Sequence, residues 1–260
     1  MSNADSGSEL VPADDQTESS AGTQVERRVS ALSFKPFRIY FGGTVLAMNA
    51  LRLGAVAQGL LMWELTGSPL SLGGVAAATA IPMMLVNIFG GVFADRYEAK
   101  FLLGGSAFIG ALLFVLLGVL DFTNTVQPWH IFSIAVFAGF VSGADQPSRQ
   151  AYFPSLVPKS AMKSAVTING SLMASASVVA PTVGGLLMAE FGTPFGFFIA
   201  ALGWFAMFAA TVVLPRRGTS IVQRSVIRDL GTGINYIRSH RVLLVLLILA
   251  FSNMLMVFGW

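Results

Sequence analysis

Cysteine is absent from this chain of 260 residues, which excludes a disulfide framework, a thiolate metal site and a cysteine nucleophile. Histidine is nearly absent too. His130 and His240 stand far apart, each at the edge of an apolar run, so no ligand set with metal spacing accompanies them and each reads as an interfacial polar tip. Charge is equally scarce: Asp, Glu, Lys and Arg make up 11% of the residues against 54% hydrophobic ones. Mean hydropathy reaches +0.71, more than a single soluble core of this size carries. The net charge of +3 does not point to nucleic acid, because the basic residues are spread between apolar runs rather than gathered on one surface. Paired acids, a nucleophile with its base and a metal cluster are all lacking inside those runs, so the chain does not read as an enzyme or as the holder of a cofactor.

What is there is a series of apolar segments, and the solvent they need is lipid. Seven candidate spans follow one another: Ile39 to Leu61, Leu72 to Ala94, Phe101 to Leu120, Trp129 to Ala144, Ala165 to Ala189, Phe195 to Leu214, and Val242 to Trp260. Helices of about twenty residues at about 1.5 Å per residue cross a hydrocarbon core of roughly 30 Å. Pro82, Pro181 and the Gly104-Gly105 pair lie inside the runs, as packed membrane bundles tolerate. The fold class is therefore an all-α membrane protein, multi-pass, with the lipid bilayer as its first partner.

The basic residues fix an expected orientation. Fifteen of the sixteen fall before span one or in alternate connections, ending with Arg216 to Arg241, which places the amino terminus and those connections in the cytoplasm. Residues 1–33 begin in a stretch rich in Ser, Asp and Glu that cannot bury enough surface to order itself, and read as a disordered cytoplasmic tail with no cleavable leader. Residues 34–214 read as a six-helix bundle and 215–241 as a cytoplasmic linker. In that linker Ile227, Leu230, Ile234 and Ile237 recur at near-helical spacing, as in a surface helix or an ordinary connector. Residues 242–260 read as the start of a second bundle. Gly90 to Asp95 in span two is echoed by Gly184 to Glu190 in span five, 94 residues later, at ends that face opposite sides of the membrane, as inverted three-helix repeats require.

The sixteenth base is Arg52, inside span one, with Asn49 three residues earlier on the same face. A charge there costs about 2.5 to 3.5 kcal/mol on insertion scales unless it faces protein or water. Both residues are therefore candidates for a substrate cavity in which Arg52 attracts an anionic group; a buried arginine bonded to neighbouring carbonyls is the alternative. Asp145 stands near the cytoplasmic end of span four, within reach of Arg149 four residues on or of Arg96 and Lys100 across the bundle. Pro147 disfavours helix at the residue before it, so the spacing leaves the local pair open.

Gly91, Asp95, Arg96 and Lys100 in the connection between spans two and three resemble the signature of the major facilitator superfamily. Glu98 stands where that signature has Gly, and Ala99 where it has a base. Asp145-Gln146-Pro147-Ser148-Arg149-Gln150 is similar to the corresponding run of the branch that includes the enterobactin exporter and drug efflux carriers. Pro181, Gly184 and Gly185 resemble the antiporter motif, with Ala180 in place of its first Gly. The resemblance implies a major facilitator fold built from inverted repeats, and a gate in which Asp95 latches the two halves with Asp145 in the same network. It implies proton-coupled efflux of a small amphipathic compound, drug-like or siderophore-like, by alternating access in the plasma (inner) membrane. A non-transporting receptor or assembly factor on a transporter scaffold is the alternative. Relatives have twelve spans, so a chain ending in span seven is expected to be a fragment or a truncated product that does not transport alone.

Overall fold

A computed structural model of the chain describes residues 30–96 and 98–215 together with Leu249 and Ser252, and within these the side chains at 88–96 and Ser177 stand outside the description. Six long helices follow in order: α1 (Lys35–Thr66), α2 (Pro69–Arg96), α3 (Ala99–Phe122), α4 (Pro128–Tyr152), α5 (Met162–Phe191) and α6 (Thr193–Val213). The other elements are single 3-10 turns at Ala31–Ser33, Phe153–Leu156 and Lys159–Ala161. Spans one to six thus each fall on one helix. The seventh span, the linker 215–241 beyond Pro215, His240 and the tail before Ser30 lie outside the described residues. The ordered bundle begins slightly before residue 34: Ala31 is buried and its N–H donates to Ser164 Oγ of α5 at 3.2 Å.

Helices α1 to α5 outrun their expected spans at both ends and α6 at its start, and the connections are correspondingly short. Gly67 stops α1 at φ 59, a left-handed turn glycine adopts without penalty, and its N–H donates to Trp63 O at 2.8 Å. Gly192, at φ 82, alone separates α5 from α6. Asp121, one residue past the expected end of span three, lies in the last turn of α3 and accepts from Thr193 Oγ1 at the start of α6 across 2.6 Å. That bond ties two helix ends together and sets a carboxylate by the amino-terminal dipole of α6. His130 takes part in the cap of α4: Gln127 N–H donates to its Nδ1 at 3.0 Å, a reciprocal box that satisfies otherwise orphaned backbone donors.

Five helical stretches are long and apolar enough to cross a membrane: Lys35–Thr66, Pro69–Asn87, Ala99–Phe122, Lys159–Phe191 and Thr193–Val213. α4 is as long, but its final turns carry Asp145, Gln146, Arg149 and Gln150. It also continues through Pro147, whose ring removes one backbone donor.

The packing explains that persistence. Gly139 and Gly143 of α4 abut the backbone of α2: a Cβ at Gly139 would run into Thr79 O, and one at Gly143 would meet Met83 O at 2.9 Å. Such small residues four apart let two helices approach closely, and in lipid, where burial gives no drive, that van der Waals contact holds the pair. The helix pairings also have a symmetry. α2 packs on α4 as α1 packs on α5, α1 on α6 as α3 packs on α4, and α3 on α6. Exchanging α1 with α4, α2 with α5 and α3 with α6 returns these five pairings, the relation that inverted three-helix repeats produce, while the lesser packing of α1 on α2 and of α5 on α6 has no comparable counterpart among the described residues. The centre is filled by Phe37, Leu103, Leu117, Ile131, Phe197, Trp204 and Met207. Leu70, Ile81, Leu112, Leu186, Leu202 and Val212 point outward, as lipid-facing side chains do.

Candidate functional site

The end of the bundle where α4 finishes encloses an ion pair. Arg149 Nε donates to Asp145 Oδ2 at 2.5 Å, and only 5% and 4% of the two side chains remain exposed. Four helices supply its surroundings. Ser106 Oγ of α3 donates to Asp145 Oδ1 at 3.2 Å. Arg149 Nη1 donates to Thr44 Oγ1 of α1 at 3.1 Å and lies 3.7 Å from the sulfur of Met207 on α6. Arg149 Nη2 is buried without a partner among the described residues. The pair open on the sequence is therefore formed, and it is an enclosed junction of α1, α3, α4 and α6 rather than a surface contact. Thr44 and Ser106 were not singled out in the sequence; the available signal was a hydroxyl inside an otherwise apolar span.

The motif between α2 and α3 divides in two. Gly91, Asp95 and Arg96 occupy the last turns of α2, with the side chains of Asp95 and Arg96 outside the description. Lys100, at the start of α3, turns its ammonium to the carboxyl end of α6, donating to Leu214 O and to Val212 O at 3.4 Å. A cation there satisfies carbonyls the helix leaves unpaired and complements its dipole. Ala99, where the family signature has a base, is buried, so the position holds packing rather than charge. Tyr152, also buried, donates to Pro215 O at 2.8 Å, and with Tyr40 and Phe153 it forms an aromatic cluster beneath the pair.

In the antiporter-like motif of α5, Pro181 lies within the helix. Gly184 is pressed against Leu53 of α1, while Gly185 has open space around it. One glycine thus seats α5 on α1 and its neighbour does not.

Arg52 lies near the middle of α1, a helix long and apolar enough to cross a membrane. Its side chain is exposed, so the buried alternative does not hold in this structure. α1 is packed by α2, α4, α5 and α6, and Arg52 with Trp63 lies on the face these helices leave uncovered. Asn49 is half-buried, its Nδ2 donating to Val45 O at 2.7 Å. It lines a groove between α1, α5 and α6 whose other walls are Leu, Val, Ile, Ala and Gly. A second groove, between α1, α2 and α4, holds Gln58, Thr79 and Ser142 among apolar residues. Gln58 is 6% exposed and its Nε2 has no partner among the described residues.

Comparison with known proteins places this geometry. A family model described as Transmembrane secretion effector matches residues 28–258. The Staphyloferrin A transporter of Staphylococcus aureus is 24% identical over 179 residues, which are 68% of this chain and 45% of that protein. The Enterobactin exporter EntS of Salmonella choleraesuis is 28% identical over 183 residues, 69% of this chain and 44% of the exporter. Its counterpart in Escherichia coli O1:K1 is 28% identical over 182 residues, with 69% and 43% covered. The chain thus spans less than half the length of the curated relatives it matches.

Proposed function

Since the chain belongs to the transmembrane secretion effector family of major facilitator proteins, we propose that it is the amino-terminal half, with the start of the second half, of a secondary active exporter. The exporter carries a small amphipathic compound, drug-like or siderophore-like, out through the plasma (inner) membrane, with the amino terminus in the cytoplasm. The observation that carries this reading is a face of α1 that no described helix covers, where a charged residue stands mid-helix outside the packing of its own bundle. A second half closing over that face would give the charge a wet cavity, and two bundles rocking about a midplane site is how such folds alternate access. The relatives, an exporter of enterobactin and a transporter of staphyloferrin A, support a siderophore-like cargo.

In this reading Gly91, Asp95 and Arg96 form the latch at the inner face, and the Asp145–Arg149 pair is the fixed floor against which it closes. Arg149 Nη2, lacking a partner among the described residues, gives that floor one donor to offer. Protons are the coupling ion, and the membrane potential adds about 2.3 kcal/mol per charge at 100 mV. The buried Ala99 favours one alternative, a receptor or assembly factor whose gate relay has been lost.

Cells of the source strain with the gene present, deleted and restored separate the two readings. Deletion should raise retention of siderophores, macrolides or dyes, and a protonophore should erase the difference. Equal retention in all three strains would falsify the efflux reading.

A further inference from the structure

The groove between α1, α2 and α4 opens beside Arg52. Ala55 and Gly59, three and seven residues on from it, continue the same ridge of α1 and form part of the groove's floor. Neither offers bulk: a Cβ at Gly59 would meet nothing within 4 Å. The groove is walled by Leu51, Val75, Met83 and Phe114, and the exposed Arg52 follows Leu51 directly in the chain. Gln58 lies on that wall, buried to 6% exposure, with an amide nitrogen that no described group satisfies. Burying a polar group unpaired is costly, so this nitrogen calls for an oxygen that a water or a bound molecule can supply. Among the described residues no carboxylate pairs with Arg52, since the only ion pair there joins Arg149 to Asp145.

Resting on the efflux reading, we propose that this groove seats the cargo and that the cargo is an amphipathic anion. Its apolar body lies on Leu51, Val75, Met83 and Phe114. A neutral oxygen partway along it accepts from Gln58, and its anionic group meets Arg52. Arg52 and Gln58 lie six residues apart on α1, an axial rise of about 9 Å between their Cα positions. Pockets of this kind, mostly apolar with a few placed polar groups, fix both the orientation and the charge of what enters. The groove between α1, α5 and α6 lacks such a set: Asn49 is its one polar side chain, and the amide of Asn49 is already engaged with Val45 O.

The test uses the chain in nanodiscs, with empty discs subtracted, and two fluorescent probes: 6-(dansylamino)hexanoate and its uncharged methyl ester. The acid carries an apolar ring system, sulfonamide oxygens and a carboxylate. It should bind saturably and at least tenfold more tightly than the ester. Arg52→Gln should bring the two probes to equal affinity, and Arg52→Lys should keep most of the preference. Gln58→Leu should weaken both probes together, and Gly59→Phe should abolish both without loss of helicity or of a monodisperse elution peak. Absence of saturable binding, a preference that survives Arg52→Gln, or binding that survives Gly59→Phe overturns the assignment. Failure here is separable from failure of the efflux reading. Binding as expected in a strain that shows no efflux strikes the efflux reading alone, and efflux with no Arg52-dependent choice of anions strikes this assignment alone.

Discussion

Arg149 and Asp145 lie one turn apart on α4 and meet at 2.5 Å with about a twentieth of each side chain exposed. An isolated pair at that spacing on a helix surface is worth a few tenths of a kcal/mol. Enclosed as it is, the pair is costly to break, because removing one partner strands the other charge away from water, at about 3 to 5 kcal/mol. Asp145→Ala should lower the melting temperature in detergent by roughly 10 °C, read from tryptophan emission. The double variant Asp145→Asn with Arg149→Gln should recover most of that loss, since no unpaired charge remains. A double variant no more stable than Asp145→Ala would mean that packing, not charge, governs the site.

The contact between α4 and α2 makes a second prediction. A side chain at Gly143 would meet the Met83 carbonyl at 2.9 Å and Val86 Cβ at 2.7 Å, and a backbone carbonyl has no rotamer by which to move away. Gly143→Leu should therefore separate the two helices and destabilise the bundle by about 1 to 3 kcal/mol or more. Gly105→Ala, where nothing lies within 4 Å, should be neutral or slightly stabilising because glycine is a poor helix former. Comparable melting temperatures for the two variants would remove the close approach of α2 and α4.

Much of this arrangement was legible in the residues because lipid leaves few choices. An apolar run of twenty residues must be a helix there, since unpaired backbone groups have no water to turn to. Spans one to six were therefore readable, and so was the topology of the repeats. What composition could not show was how far a polar end continues a helix. The run Trp129 to Ala144 stops where hydropathy falls, but α4 continues through Pro147 to Tyr152, because Asp145 and Arg149 are satisfied by three other helices. The same reason hid Thr44, Ser106 and Gln58. A hydroxyl or amide within an apolar span has no local signature until the neighbouring helix supplies or withholds its partner. Arg52 was conspicuous because a lone charge within a span is costly in lipid unless it faces protein or water.

Within the motif joining α2 to α3, Lys100 and Asp95 are expected to differ in kind. Lys100 donates to carbonyls at the end of α6, so Lys100→Met should cost stability, about 1 kcal/mol for a cation lost from a helix terminus, and Lys100→Arg should restore it. Made at the matching position of a complete homologue, Asp95→Ala should abolish export while leaving abundance and melting temperature near wild type, as a latch rather than a brace would. Thermal melts and export assays on the same variants check both halves of the contrast. Equal export in Asp95→Ala and the parent would remove the latch.

The absence of cysteine makes the orientation directly testable, because one introduced thiol is then the only reactive one. Thr125 lies exposed between α3 and α4, and Ser160 lies exposed between α4 and α5. The distribution of Lys and Arg puts the first outside and the second inside. Since α4 separates them, one helix crossing is what the comparison measures. A membrane-impermeant maleimide should label Thr125→Cys in intact cells and Ser160→Cys only after the membrane is opened. Reversed labelling would turn the chain over and put the Asp145–Arg149 end outside. Labelling of both from one side would mean that α4, the helix with the most polar final turns, does not cross the membrane.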